Sequence, residues 1–424
     1  MSTDSPDLWL AAGLRTPFAR VDGPLAQLGA VELSVPVMRA MVEKGVKPDL
    51  LVWGTVIPNL GYSNIAREIQ IEAGLDQSIP AFSTVLACAT SMVAAFQAAA
   101  MLGRGGNELA LVGGVESMSR VQIGLSQSLS DWLRRFFQAR RLAQRLASFK
   151  DLRARDIRLH VLAVKNRATG KSMGEHCEEM AKAWTVTRDA QDRLALASHE
   201  KAVAGQKSGF FDELIVPVAG QSRDGFPRPD TSLDRLAKLP PAFDRSSGRG
   251  TLTAANSSPL TDGAAGLWVA TRAGLKRLPG HLPRARLLDW EIAAVNVFTE
   301  GLLMAPAYAI PRLLARNGLG YGDIALWEIH EAFSAQVLCN VAALESGDFR
   351  RQNAGVDADL GQFPWERLNP NGGSVALGHP FGATGARILS QALKELAAMA
   401  RGSRAVVSIC ADGGLGTVAL LQNE

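Results

Sequence analysis

A chain of 424 residues with a net charge of only +4 carries no overall basic field, so a nucleic-acid partner is excluded. Its length calls for two or three domains, or for one large α/β unit with insertions. The four cysteines, Cys88, Cys177, Cys339 and Cys410, are far apart and show no metal-binding spacing, which fits free thiols in a reducing compartment.

Taken in chain order, "LWLAAGLRTPF" from Leu8 reads as a strand running into a loop at Arg15–Phe18. "VELSVPVMRAMVEKG" reads as a helix stopped by Gly45, "LLVWGTVIPN" as a strand closed by Pro58, and "NIAREIQIEAGL" as a helix. "AFSTVLACAT" has the small and β-branched residues of a strand, and "SMVAAFQAAAMLGRGG" is an alanine-rich helix with a Gly-Gly stop. "LALVGGVESMS" is a further strand ending in glycines. This βαβαβα alternation predicts a mostly parallel sheet covered on both faces.

From about 120 to 250 the pattern breaks into basic, irregular sequence, read as an insertion. Residues 120–171 hold 13 Lys/Arg against 3 Asp/Glu. Beyond it the opening theme returns, with strands at "ARLLDWEIAAV", "IALWEIHEAF" and "RAVVSICADGGLGTVALL" and helices between them. Two halves of similar topology are expected. No stretch approaches the roughly 20 apolar residues of a membrane span, and "MSTDSPDLWLAAG" has neither leader nor transit character. A cytoplasmic location is expected.

Chemistry concentrates at strand ends, where open α/β sheets place their sites. Cys88 lies where a strand meets an alanine-rich helix, so backbone N–H groups and the helix dipole are expected to lower its pKa and activate it as a nucleophile; a buried cysteine acting as a small hydrophobe is the plainer alternative. In "NPNGGSVALGHPFGATGARIL", glycines at 372, 373, 378, 382 and 385 surround His379. Such a loop lets backbone approach a ligand and fixes the imidazole, making His379 a candidate base or oxyanion donor. His330, opening "HEAF", and Cys410, ending a strand, are further candidates; a hydrogen-bonded loop histidine explains His330 equally well. Cys177 and Cys339 read as packing or surface thiols, and His160, His176, His199 and His281 as structural or solvated.

The chain resembles the thiolases, acyl-CoA C-acyltransferases. The resemblance rests on "RTPFAR" at 15–20, Cys88 ahead of its helix, "GGVESMS" at 113–119, "NSSPLTDGAA" at 256–265, "HEAFSAQ" at 330–336, "NPNGGSVALGHPFGATGAR" at 369–387 and "CADGGLG" at 410–416. It implies an α/β fold of five layers, αβαβα, with an N-terminal half (1–120, completed by 250–271), an inserted loop domain (121–249) and a C-terminal half (272–424). The implied reaction is thiolytic cleavage of a 3-ketoacyl-CoA or the reverse condensation, with coenzyme A as substrate and neither metal nor tightly bound cofactor. Cys88 would carry the acyl group, His379 would deprotonate it, and Cys410 would move the α-proton. His330, where many relatives have Asn, would hold a water in an oxyanion hole shared with His379. The backbone N–H groups of Cys88 and Asp412 would form the second hole. Ser258 would touch the pantetheine of CoA, and Met304 and Phe333 would line the acyl pocket. The His-Glu-Ala-Phe sequence is similar to the β-oxidation branch related to the trifunctional-complex thiolase subunit. A homodimer or homotetramer and a hydratase/dehydrogenase partner are also implied. A ketoacyl-synthase-like condensing enzyme and a non-catalytic acyl-CoA or lipid-binding member are the competing readings.

Two features stand apart. "SDWLRRFFQARRLAQRL" at 130–146 reads as one basic amphipathic helix capped by Ser130, with Trp132, Phe136, Ala139, Ala143 and Leu146 on one face. It suits an anionic membrane surface or a partner, or simply packs on its own domain. Asp412 stands where relatives have Gly or Ala. A carboxylate aimed into the site would oppose oxyanion formation and raise the pKa of Cys410, so its side chain is expected to turn away, toward a cation or a helix N-terminus.

Overall fold

The computed structural model describes residues 7–43, 45–160 and 165–424; the reading of the N-terminus as leaderless falls partly on residues outside these. The first half runs β1 (Leu8–Ala11), α1 (Ala30–Val42), β2 (Leu50–Thr55), α2 (Ile65–Glu72), β3 (Ala81–Phe82), α3 (Thr90–Leu102) and β4 (Leu109–Glu116). Between β4 and the long strand β5 (Thr261–Thr271) lie α4 (Gln127–Gln138), α5 (Leu142–Ser148), α6 (Met173–Ala183) and α7 (Arg188–Lys207). The second half runs β6 (Arg284–Ala294), α8 (Ala305–Arg316), β7 (Leu326–Ile329), α9 (Ser334–Glu345), α10 (Thr384–Ala397), β8 (Arg404–Ala411) and β9 (Leu415–Gln422).

The nine strands form one path in the order β7-β8-β9-β6-β1-β5-β4-β2-β3. Each half contributes the same sequence of strands outward from the antiparallel β1–β6 junction, where Trp9 faces Arg286 and Ala11 faces Arg284. In the first half β2 pairs in parallel with β3 and β4; in the second, β7 pairs in parallel with β8 and, at one bridge, Trp327 pairs with Leu368. The expected internal repeat is therefore present. The mostly parallel sheet is not: β5 returns antiparallel to both β1 and β4, and β9 antiparallel to β6 and β8. Helix–strand alternation shows which elements exist, but not that each half is closed by a returning strand.

Among the described residues, three large hydrophobic cores separate the five layers. α1 and α2 cover the outer face of the first half, Met38 and Ile69 sharing one core with the fully buried Trp53 of β2. α8 and α9 cover the second half around Trp327 and Leu313. Between the two inner faces lies the third core, which contains α3 and α10. Both helices are buried on nearly every side, as a central layer requires; α3 is almost wholly apolar, whereas α10 also buries Arg387, Gln391 and Glu395. Their small residues permit close approach: a Cβ at Gly385 would sit 2.3 Å from the Met92 nitrogen, and Ala386 N–H donates to Ser91 Oγ at 2.8 Å.

The "RTPF" loop is held from the inserted segment. Buried Arg15 makes a two-pronged pair with Asp224 at 2.5 and 2.6 Å, and the same carboxylate accepts from Phe18 N–H at 2.8 Å. A buried pair of this kind is costly to break on one side.

The stretch 130–146 is two helices rather than one. Ser126, not Ser130, caps α4 by accepting from Leu129 N–H, and Ala139 is extended (ψ 121°), so the chain turns into α5. Trp132 is buried against Phe136 and Phe149, and its indole N–H donates to Ser148 O at 2.8 Å. Leu146, expected on the packed face, is exposed, with Phe137 and Leu142.

Candidate active site

Four chain segments converge where the two halves meet. The first is the turn that carries Cys88. The chain leaves the sheet after Phe82 instead of continuing as a strand, and Ala87 takes a positive φ of 42°. Thr90 fixes this turn, its hydroxyl accepting from Leu86 N–H and donating to Ala87 O. Cys88 then sits in a single 3-10 turn that leads into α3. The second segment follows β7: His330 N–H continues the β7–β8 pairing by donating to Ser408 O at 2.8 Å. The third is the glycine loop, in which His379 N–H donates to Thr261 Oγ1 at 2.9 Å. The fourth is the β8–β9 hairpin with Cys410 at its end, opposite Gly416.

The two imidazole rings lie 4.2 Å apart between centroids, tilted by 49°. The Cys88 sulfur and one nitrogen of each ring all lie within 4.8 Å of one another. Both Nε2 atoms are buried and without a partner, while both Nδ1 atoms are tied down. His379 Nδ1 lies 2.6 Å from Thr384 Oγ1, whose own hydroxyl donates to Pro380 O at 2.9 Å. Thr384 must therefore accept from His379, which leaves the His379 Nε2 lone pair free to act as a base. Burial, with Arg387 adding, holds the His379 pKa down to about 3, and burial likewise depresses that of His330. Both rings are neutral at pH 7.

Cys88 departs from expectation. Burial pushes its thiol up to about 12, and the Asp412 carboxylate adds to the rise; the Asp412 and Cys88 N–H groups pull the other way without winning. Position ahead of a helix does not outweigh the lost solvation. The resting pair is thus thiol and imidazole, not thiolate and imidazolium. Cys410 is also raised well above the usual thiol range, by burial and then by Cys88, which places the two sulfurs near each other.

Among the described residues, Asp412 pairs with neither a cation nor a helix end. Its Oδ1 accepts from Asn166 Nδ2 at 2.8 Å and from Gly413 N–H at 2.6 Å, and the thiol it perturbs is that of Cys88, not Cys410. Ser258 is half-buried, and its N–H donates to Ala332 O at 2.9 Å. Its neighbours Ser257 and Leu260 bridge to Phe333 and His379, so this segment laces the two histidine loops together. Met304 and Phe333 are buried in the second-half core. Met304 sulfur lies 3.4 Å from Asn340 Nδ2, and Phe333 meets Phe243 edge-on at 5.7 Å.

Cys177 and Cys339 are both fully buried, so neither is a surface thiol. His199 is buried and held down to about 4 by burial. His176 is buried too, with Thr169 Oγ1 at 2.7 Å from its Nε2. The side chain of His160 lies outside the described residues. Sequence reasoning missed Thr384, Ser374, Arg387 and Asn166; the first three lie inside the quoted glycine-rich block, where their hydroxyl and guanidinium groups were the available signal.

Cys88, His330 and His379 have the donor types of a zinc site. A metal there would have to displace the thiol proton of Cys88.

A family model described as the thiolase N-terminal domain matches residues 9–273, and one described as the thiolase C-terminal domain matches residues 281–423. The chain is 38% identical over 421 residues to a 3-ketoacyl-CoA thiolase of Pectobacterium atrosepticum, covering 97% of this chain and 95% of that one. It is 39% identical to the Serratia proteamaculans protein of the same name, over 97% and 96% of the two chains. Among solved structures, an acetyl-CoA acetyltransferase of Bacillus anthracis superposes with a TM-score of 0.80 at 30% identity, covering 99% of this chain and all of that one. A thiolase of Ascaris suum in complex with coenzyme A superposes with a TM-score of 0.79 at 28% identity, over 99% and 100% of the two chains.

Proposed function

The chain belongs to the thiolase family, and from that premise we propose that it cleaves a 3-ketoacyl-CoA with coenzyme A, or runs the reverse condensation, through an acyl-enzyme on Cys88. The observation that carries this reading is the meeting of Cys88, His330 and His379 within 4.8 Å, with Cys410 beside them. Attack of the Cys88 sulfur on the keto carbon is coupled to proton transfer to His379 Nε2. The protonated ring then donates to the thioester oxygen, together with His330. The bond between C2 and C3 breaks, Cys410 protonates the departing acetyl-CoA enolate, and the acyl group remains on Cys88. The N–H groups of Cys88 and Asp412 hold the acyl oxygen until the thiol of CoA gives its proton to the Cys410 thiolate and attacks; the shortened acyl-CoA leaves as the Cys88 sulfur regains its proton from His379. Coenzyme A enters as substrate and no tightly bound cofactor takes part. Ser258 contacts its pantetheine arm, and Met304 and Phe333 line the acyl pocket. The functional units are 1–120 completed by 250–271, the inserted domain 121–249, and 272–424. Acetoacetyl-CoA and a longer 3-ketoacyl-CoA, each assayed with CoA, test the proposal. Turnover that is lost in Cys88→Ala is expected, and failure to cleave either substrate refutes the reading.

The protein works in the cytoplasm as a homodimer or homotetramer, alongside a hydratase/dehydrogenase partner. A second surface favours peripheral membrane attachment. On the α4–α5 hairpin Phe137, Leu142 and Leu146 are 70%, 72% and 61% exposed, with Arg134, Arg135, Arg140, Arg141 and Arg145 around them. No helix among the described residues is long and apolar enough to cross a membrane, so attachment would lie in the interface. Salt-sensitive co-sedimentation with anionic but not zwitterionic vesicles is expected; no binding at low salt refutes it.

A further inference from the structure

His330 is connected to a buried network that the proposed mechanism leaves unused. Its Nδ1 lies 2.8 Å from Ser374 Oγ, on the turn Ser374–Leu377. The same oxygen receives Arg387 Nη2 at 2.6 Å. A guanidinium only donates, so Ser374 spends a lone pair on Arg387. The remaining partner for its hydroxyl proton is His330 Nδ1, and all three residues are buried. If Nδ1 carried the proton instead, the Ser374 hydroxyl would be a stranded buried donor, a loss of about 1–3 kcal/mol.

We propose that Arg387 and Ser374 are positioning residues that fix His330 as its Nε2–H tautomer, so that this ring always presents a hydrogen-bond donor to the reacting oxygen. The inference rests on the proposed role of His330 as an oxyanion donor. It makes the two neighbouring rings opposite in kind: Thr384 accepts a hydrogen bond from Nδ1–H of His379 and leaves a base at Nε2, whereas Ser374 donates one to Nδ1 of His330 and leaves a donor at Nε2. It also weighs further against a metal, since a protonated Nε2 cannot be a ligand.

The charge of Arg387 is anchored behind this pair. Its Nη1 donates to Gln391 Oε1 at 3.3 Å, and Gln391 Nε2 reaches Glu328 at 3.3 and 3.4 Å and Glu395 Oε1 at 3.3 Å. Asn371 Nδ2 adds a bond to Glu395 at 2.8 Å. Burial and mutual repulsion push the Glu328 carboxyl upward, and burial does the same to Glu395. The Arg387 guanidinium pulls both carboxyls back down, so it and they face each other across this buried cluster.

The test is the tautomer itself, read from two-bond 1H–15N spectra of the full-length protein labelled on histidine, with His330→Asn used for assignment. His330 is expected as Nε2–H and His379 as Nδ1–H. In Ser374→Ala, the His330 signals should move toward the other tautomer and kcat should fall at least tenfold, toward the roughly 10²–10³ loss of an oxyanion donor removed outright. KM for the acyl-CoA should stay within about twofold, and alkylation of Cys88 should be unchanged. In a His330→Asn background, where an amide donates without any tautomer, adding Ser374→Ala should have no further effect on kcat. A wild-type His330 in the Nδ1–H form overturns the proposal whether or not the variant folds. So does a Ser374→Ala protein with unaltered kcat. If His330→Ala keeps full turnover while the wild-type ring is Nε2–H, the oxyanion role fails but the positioning stands.

Discussion

Replacing Asp412 with Asn should make Cys88 a better nucleophile. The Asp412 N–H contacts the Cys88 sulfur, and the carboxylate on the same residue is the second cause, after burial, of the raised thiol pKa. Two like unit charges about 4 Å apart repel by about 1 kcal/mol in water and by about 4 kcal/mol at an effective dielectric constant of 20. Asp412 is half-buried, so about one pKa unit, or about 1.4 kcal/mol, is the expected relief. The sign follows from charge: a neighbouring anion disfavours thiolate, so its removal lowers the thiol pKa. The new amide oxygen can still accept from Asn166 and Gly413, which keeps the turn intact. The assay is the rate of Cys88 alkylation by iodoacetamide against pH. In the wild type the rate should climb without a plateau through the alkaline range, as a thiol near 12 requires. In Asp412→Asn it should run parallel and about tenfold higher at each pH, and thiolysis should rise by up to the same factor. Superimposed profiles, or a wild-type plateau near neutral pH, would refute the electrostatic argument.

Cys410→Ala should leave acylation of Cys88 by acetyl-CoA intact while slowing carbon–carbon cleavage by about 10²–10⁴, measured by comparing acyl exchange with acetoacetyl-CoA thiolysis. Asp224→Ala strands buried Arg15 and should cost about 3–5 kcal/mol, read from the urea unfolding midpoint. Gly114→Ala would place a Cβ 2.0 Å from the Gly382 carbonyl oxygen; the glycine loop must then shift, lowering stability by about 1–3 kcal/mol and kcat with it.

The elements were largely legible in the sequence, because alternating apolar strands and helices reveal their own periods. Their directions were not. The return of β5 antiparallel to β4 depends on where an insertion of more than a hundred residues sets the chain down again, and no local pattern encodes that. "AFSTVLACAT" has strand composition throughout, yet only Ala81–Phe82 pair. The rest is bent out of the sheet by the Thr90 bonds that present Cys88, a tertiary demand overriding propensity. Likewise the Trp132 bond to Ser148 folds one apparent helix into two. At the site, residue types announced Cys88, His330, His379 and Cys410 but not their protonation. The pKa of Cys88 was not legible, because desolvation depends on what surrounds the sulfur, which sequence does not display. The tautomers hinge on Thr384 and Ser374, two hydroxyls whose partners appear only in three dimensions.

The account's central claim is that Cys88 carries the acyl group. The most direct measurement is to incubate the protein with acetyl-CoA, quench it in acid, and locate the modification by intact mass and peptide mapping. One acetyl group on Cys88, absent in Cys88→Ala and removed by added CoA, is the expected result. An unmodified protein, or an acetyl group on Cys410 or any other residue, would contradict it.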